Sequence, residues 1–257
     1  MKRILFSTAS KCLSGCSYCF AQWESYDSQP LFIESNGQED YEIIYPCCDG
    51  EFFKDSENIE GLEHYVFNKN SPIIISFSTK NDISNLTLKR ISKLNERLVA
   101  QNKGFIKIST SITNISMISE LEPFTISYIK RIELLKKIYE NGIPTSLVLK
   151  PILPFICEEE YHKIIDDSLK YTRLILIGDL YVNKNTDFYD KYVRHYSYEQ
   201  RLVNWLDSRP VWNVIESSKI KHNLISYIES KSALSFENDI DLLKYIHNVQ
   251  ILNQEGA

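Results

Sequence analysis

Short apolar runs recur along the first two thirds of the chain, each followed by a longer stretch in which apolar residues return every three to four positions. That alternation marks β-α units whose strands lie side by side in a parallel sheet. Six strands are predicted, at residues 3–7, 41–46, 72–78, 105–111, 145–150 and 173–178. Helical patterns fill 57–69, 82–102, 125–141 and 158–171, and Gly142-Ile143-Pro144 gives the third of these a stop signal. Six parallel strands are too few for an eight-stranded barrel. They suffice for an α/β fold of the open partial (β/α)6 type, with reactive groups at the C-terminal ends of the strands.

The first connection breaks the rhythm. Residues 8–40 are rich in Ser and Cys and weakly periodic, so they read as an elaborated loop above the sheet, and long loops in compact domains usually carry function. Beyond residue 178 the β-α pattern stops, and residues 185–249 read as helices with many aromatic residues, among them Trp205, Trp212 and Tyr227. The expected division is therefore a barrel core over 1–180 and a helical C-terminal extension over 181–257 that packs on it or closes its open side.

Composition narrows the class. Of 257 residues, 43% are hydrophobic and 25% charged, which fits a folded globule and excludes a disordered chain. With 29 Lys and Arg against 34 Asp and Glu, the net charge of −5 argues against nucleic-acid binding by bulk electrostatics alone. Residues 79–107 hold a basic run (Lys80, Lys89, Arg90, Lys93, Arg97, Lys103, Lys107) and residues 39–63 an acidic one; both are expected to be solvated helix faces. No apolar stretch is long enough to span a bilayer and the start lacks a signal-peptide core, so a cytoplasmic protein is expected. In that compartment six cysteines are not a disulfide framework.

Three of them stand at a spacing that suggests another use. Cys12, Cys16 and Cys19 follow the first strand as Cys-x3-Cys-x2-Cys, and three thiolates can hold an iron–sulfur cubane while one iron keeps an open position. Gly15 allows the tight backbone turn between them. The competing reading is a closed zinc site with Cys47 or Cys48 as fourth ligand. The five histidines are scattered, and neither a Gly-rich phosphate loop nor a hydrolytic triad is present.

This cysteine spacing, with Tyr18 before the last cysteine, resembles the radical S-adenosylmethionine (SAM) superfamily. Further matches resemble its spore photoproduct lyase-like branch: Ser78-Thr79-Lys80, Ser111-Ile112, Leu121-Glu122-Pro123, Arg131-Ile132-Glu133 with Gly142, and Lys150-Pro151-Ile152. The resemblance covers roughly residues 5–155 and is specific as a set. It implies a 4Fe-4S cluster on Cys12, Cys16 and Cys19, and SAM held around Tyr18, Asp49, Gly50, Glu51, Lys80 and Ser111. It further implies an electron donor such as flavodoxin or ferredoxin, and reductive SAM cleavage to a 5′-deoxyadenosyl radical that abstracts hydrogen from substrate.

Lys80 suits the methionyl carboxylate, Ser111 the ribose or carboxylate, and Asp49 or Glu51 the amino group. Cys47 or Cys48 matches the position of a thiol that returns a hydrogen atom to the product radical. Two departures stand out: Phe20 replaces a relay tyrosine, and the basic DNA-gripping segment has only Lys191, Arg194 and His195 as counterparts. A nucleic-acid lyase or modifying enzyme is thus the first reading. A radical enzyme acting on a peptide or small metabolite, and a non-catalytic iron–sulfur or zinc protein, are the alternatives.

Overall fold

Isoleucine-rich runs, β-branched and apolar on both faces, form the central strands, as expected of a sheet covered on two sides. The computed structural model describes residues 3–7, 12, 14–23, 29–30, 42–47, 50–54, 57–69, 71–203 and 209–255. The strands are β1 (Arg3–Ser7), β2 (Gln29–Pro30), β3 (Ile43–Pro46), β4 (Ile73–Thr79), β5 (Gly104–Ser111), β6 (Thr145–Leu149), β7 (Leu174–Ile177), β8 (Tyr181–Val182), β9 (Tyr198–Leu202), β10 (Val211–Ile215) and β11 (Leu234–Phe236). The helices are α1 (Glu57–Phe67), α2 (Asn85–Ala100), α3 (Ile118–Leu121), α4 (Tyr128–Glu140), α5 (Glu158–Ser168), α6 (Ser218–Ser230) and α7 (Asp239–Glu255).

The main sheet is parallel throughout, in the order β2-β1-β3-β4-β5-β6-β7-β11. Sequential neighbours joined by helices give the open α/β partial barrel. All six predicted strands are present within two residues of their expected bounds, and β11 adds a seventh beside the two-residue β2. Alternation divides the faces. Ile73, Ile75, Ile106 and Ile108 pack outward with Leu62, Leu88, Ile91 and Leu134 of α1, α2 and α4. Leu147, Leu149, Ile175 and Ile177 do so against α5 and α6.

The inner face has another partner. Ile43, Ile74, Phe105, Val148 and Leu176, one from each of five strands, pack on Leu242, Leu243 and Ile246 of α7, which therefore lies inside the curve of the sheet. One step further along the strands the inner face turns polar. Lys107, only 1% exposed, pairs with Asp239 at the start of α7 (2.6 Å), and Asp239 also accepts from Ser76 (3.0 Å).

Two expectations need correction. Residues 185–249 are not wholly helical: β9 and β10 pair antiparallel with β8 in a small second sheet, and β11 joins the main sheet. β9 is polar and largely exposed and β11 only three residues long, so neither carries a strand signal of its own; Trp205 lies outside the described residues. Nor is the basic run all solvated face. Lys89 and Lys93 are exposed and Arg90 bridges to Glu60 and Glu63 of the acidic run, whereas Lys107 is buried and Lys80 is drawn into the site below.

Removing one partner of a buried pair leaves the other charge uncompensated. Asp239→Ala should therefore lower stability by about 3 kcal/mol in urea unfolding, and the double change Lys107→Met/Asp239→Leu should recover most of that loss. A single variant within about 1 kcal/mol of the parent would contradict this role for the pair.

Candidate cofactor site at the strand ends

Register brings the first two site residues together. β4 and β5 run in step from Ile73 opposite Gly104 to Thr79 opposite Thr110, so Lys80 falls beside Ser111. The Lys80 ammonium donates to Ser111 Oγ at 2.8 Å and to Glu122 Oε1 at 3.1 Å, and lies 5.6 Å from the Tyr18 ring centre.

Glu122 gathers the rest. Its carboxylate is fully buried and accepts from the Tyr18 hydroxyl and from Thr113 Oγ1 (2.7 Å), while its other oxygen faces the Arg131 guanidinium. Burial alone would raise this carboxyl. Lys80 and Arg131 more than offset it and hold the pKa at about 2, against an ordinary 4.5. Arg131, itself fully buried, also donates to the carbonyls of Ser111 (3.2 Å) and Ile126 (3.0 Å), which ties the end of β5 to the turn before α4.

The same segment braces the cysteine loop. Ser17 N–H donates to Leu121 O (2.9 Å) and Phe124 N–H to Ser14 O (3.4 Å). Gly15 sits at φ +62°, the left-handed region that favours glycine, and a Cβ there would come within 2.8 Å of the exposed Phe124 ring, which would have to shift. Cys16 is buried and Cys12 and Cys19 half-buried. Burial pushes the Cys16 thiol up to about 12, opposed by Lys80 and reinforced by Glu122, Cys19 and Cys12, which places the three thiols in one neighbourhood. Cys16 needs added positive charge to become a thiolate, and a bound metal cluster would supply it.

Glu51 closes the other side. It accepts from Thr79 Oγ1 (2.5 Å) and Asn81 Nδ2 (3.1 Å), and Asn81 donates to Ser14 of the cysteine loop at 2.9 Å. Burial raises its pKa despite these bonds. Gly50 N–H bonds back to Cys47 O (3.3 Å), forming the turn after β3; Cys48 and Asp49 lie outside the described residues.

Cys47, at φ +60°, packs with Phe6, Ile44 and Phe52 beneath α1, whereas Cys16 belongs to the apolar cluster around Tyr18 and Leu121. Among the described residues no three His, Cys, Asp or Glu side chains converge closely enough to hold a single ion; sulfurs set around a larger cubane need not converge so far. Phe20 and Trp23 pack on Trp212 of β10 (5.5 and 5.6 Å), so the small sheet fastens the chain just after the cysteines.

Glu122, Thr113 and Arg131 had no assigned role in the sequence reading. Glu122 and Arg131 lay within the matched segments, but a carboxylate in a loop reads as surface until its distant cations are known.

The site thus lies where a sequential parallel partial barrel brings the cysteine loop, Lys80 and Ser111 together at its strand ends. Solved structures of spore photoproduct lyase, a radical SAM enzyme, share the fold over most of the chain. A cysteine-to-serine variant gives a TM-score of 0.58 at 14% identity, covering 89% of this chain and 72% of the other. The lyase complexed with dinucleoside spore photoproduct gives 0.57 at 15% identity over 86% and 72%. A double variant with bound AdoMet and the same dinucleoside gives 0.57 at 14% over 89% and 72%. Among curated sequences, an uncharacterized protein of Methanocaldococcus jannaschii is 28% identical over 101 residues, and the match spans 38% of this chain and 38% of that relative. No protein-family model matches. Among the described residues no helix is long and apolar enough to cross a membrane.

Because the folded Glu122 pKa lies below its unfolded value, its contribution to stability is complete above about pH 4.5 and is lost as pH falls toward 2. Glu122→Gln should cost on the order of 3 kcal/mol at pH 7 and flatten the acid limb of the urea-midpoint profile in that interval. Parallel profiles for parent and variant would refute the charge network.

Proposed function

We propose that this chain is a radical SAM enzyme that holds a 4Fe-4S cluster on Cys12, Cys16 and Cys19 and cleaves SAM reductively. The observation that carries the reading is the Lys80–Ser111–Glu122 contact set, formed by strand register beside the buried Cys16. A cluster held by Cys12, Cys16 and Cys19 and reduced by a flavodoxin or ferredoxin would supply the one electron that reductive cleavage of SAM to methionine and a 5′-deoxyadenosyl radical needs.

The chain's own residues do the holding. Lys80 exchanges its bond to Glu122 for the methionyl carboxylate, and Glu122 does not become an orphan, because Arg131, Tyr18 and Thr113 still satisfy it. Ser111 stays within reach of the ribose or carboxylate. Glu51, with Asp49 and the Gly50 backbone, takes the amino group. Tyr18, buried with its hydroxyl on Glu122, would help to keep water from the bound cofactors. Cys47 or Cys48 serves as the thiol that returns hydrogen to product.

The substrate is a nucleic-acid component, by analogy with the lyase complexed with dinucleoside spore photoproduct. Phe20 has no hydroxyl to relay hydrogen, and the chain carries −5 charge overall. Both observations favour, as second reading, a peptide or small metabolite. Binding to duplex and single-stranded DNA separates the two: affinity falling steeply with salt supports the first, and no measurable binding supports the second.

Anaerobic reconstitution with iron and sulfide, then dithionite and SAM, should yield a brown protein that forms 5′-deoxyadenosine. Cys16→Ala should abolish both colour and product, and Lys80→Met should weaken SAM binding by about tenfold or more. A coloured protein that never forms 5′-deoxyadenosine would refute the enzyme reading.

A further inference from the structure

We infer that the surface bearing Leu86, Phe124 and Ile129 docks the acidic one-electron carrier that reduces the cluster, an inference that rests on the function proposed above and gives its electron donor a place on this chain. Among the described residues these are the three most exposed large apolar side chains, at 79%, 73% and 60%. One exposed leucine needs no explanation, but three gathered at one loop do. The Phe124 ring lies against Gly15, between Cys12 and Cys16, and the Phe124 N–H reaches Ser14 O at 3.4 Å. Asn81 donates to Ser14 Oγ at 2.9 Å, and Leu86 follows five residues later in the first turn of α2. Ile129 stands in the first turn of α4, just after Phe124. Two turns on, Lys137 bridges to Asp82 at 3.1 Å and ties α4 to the start of α2.

The rim of this surface is basic, although the chain as a whole carries −5. Lys89 and Lys93 follow Leu86 by three and seven residues and share its side of α2, and Lys130 adjoins Ile129. All three are exposed, and among the described residues none has a hydrogen-bond or ion-pair partner. Arg90 turns away to Glu60 and Glu63 of α1, while Ser92 bonds to Asn141 O at the end of α4 (2.7 Å), so Lys89 stands on the α4 side of its helix. Across residues 82–93 and 123–137 the carboxylates are Asp82, taken by Lys137, and Glu133. An aromatic and aliphatic centre inside a lysine rim fits a partner of negative charge: the centre supplies contact area and the lysines steer the encounter. The electron has to enter through the loop that holds the cluster, and Phe124 is the exposed cover of that loop. One electron leaves the carrier's reduced centre and enters the cluster, with no bond made or broken. Redox encounters use small interfaces that part readily, which suits delivery of one electron at a time.

The test measures binding first, by surface plasmon resonance of the full chain against a flavodoxin and a ferredoxin, with basic cytochrome c as the control carrier. The wild type should bind at least one of the two acidic carriers, more weakly as salt rises, and not cytochrome c. The triple change Lys89→Glu/Lys93→Glu/Lys130→Glu should weaken that binding by about tenfold or more, and Phe124→Ser likewise. Lys219→Glu, on the exposed side of α6, should change it by less than about twofold. In the reconstituted protein the triple variant should take electrons from the reduced carrier at least about tenfold more slowly than the wild type, and from dithionite at the same rate. The inference is overturned if neither acidic carrier binds, if cytochrome c binds as well as they do, or if the triple variant and Phe124→Ser bind like the wild type. A wild-type dimer in sedimentation that Ile129→Ser dissolves would also overturn it, since the surface would then belong to a second copy of the chain. Carrier binding without dithionite-driven SAM cleavage would count against the proposed function and not against this surface; cleavage without carrier binding would do the reverse.

Discussion

One buried carboxylate organises the strand-end site. Glu122 joins the ends of β4 and β5 through Lys80 and Thr113, the cysteine loop through Tyr18, and α4 through Arg131. Its backbone neighbours Leu121 and Phe124 grip Ser17 and Ser14 of that loop. Desolvating a lone carboxylate costs several kcal/mol, so the arrangement persists only because two cations and two hydroxyls converge on it. The same network gives Lys80 a defined waiting position. A cofactor carboxylate then replaces one partner of an already ordered ammonium, and little has to be reorganised.

The inner face of the sheet is layered. At the N-terminal side it is apolar and filled by α7; further along come the Lys107–Asp239 pair and the Ser109–Ser146 hydroxyl pair (2.9 Å); at the C-terminal ends stand Lys80, Ser111 and Lys150. The C-terminal helix is thus a floor, fixed by Asp239 at its first turn. The small antiparallel sheet acts from the side, where Trp212 clamps Phe20 and Trp23. Floor and clamp both come from the segment beyond β7, so a site read from the first 150 residues depends on the last 80 or so for its enclosure.

The sequence made some of this legible and not the rest, for identifiable reasons. The strands β1, β3, β4, β5, β6 and β7 are apolar runs bounded by turn residues, and their order follows from the β-α rhythm. Lys80 and Ser111 are singled out by the resemblance and not by their local pattern, and register brings them together. The partners of Glu122 lie 42 residues upstream, at Lys80, and 9 downstream, at Arg131, so nothing local marks its burial. β9 has no apolar face to signal a strand, and β11 exists because the edge of β7 is there to pair with it. The inward placement of α7 escaped notice because Leu242, Leu243 and Ile246 fit any packed helix; only Asp239 meeting Lys107 settles which face of the sheet receives it.

The claim on which the account rests is that SAM ligates a cluster held by the three N-terminal cysteines. Electron paramagnetic resonance of the reduced, reconstituted protein with SAM labelled with nitrogen-15 or oxygen-17 in its methionyl group tests it most directly. The account predicts a reduced-cluster signal that shifts on SAM addition and shows hyperfine coupling to the label. A spectrum indifferent to SAM, or a protein that retains zinc on its thiols and takes up no cluster, would contradict it.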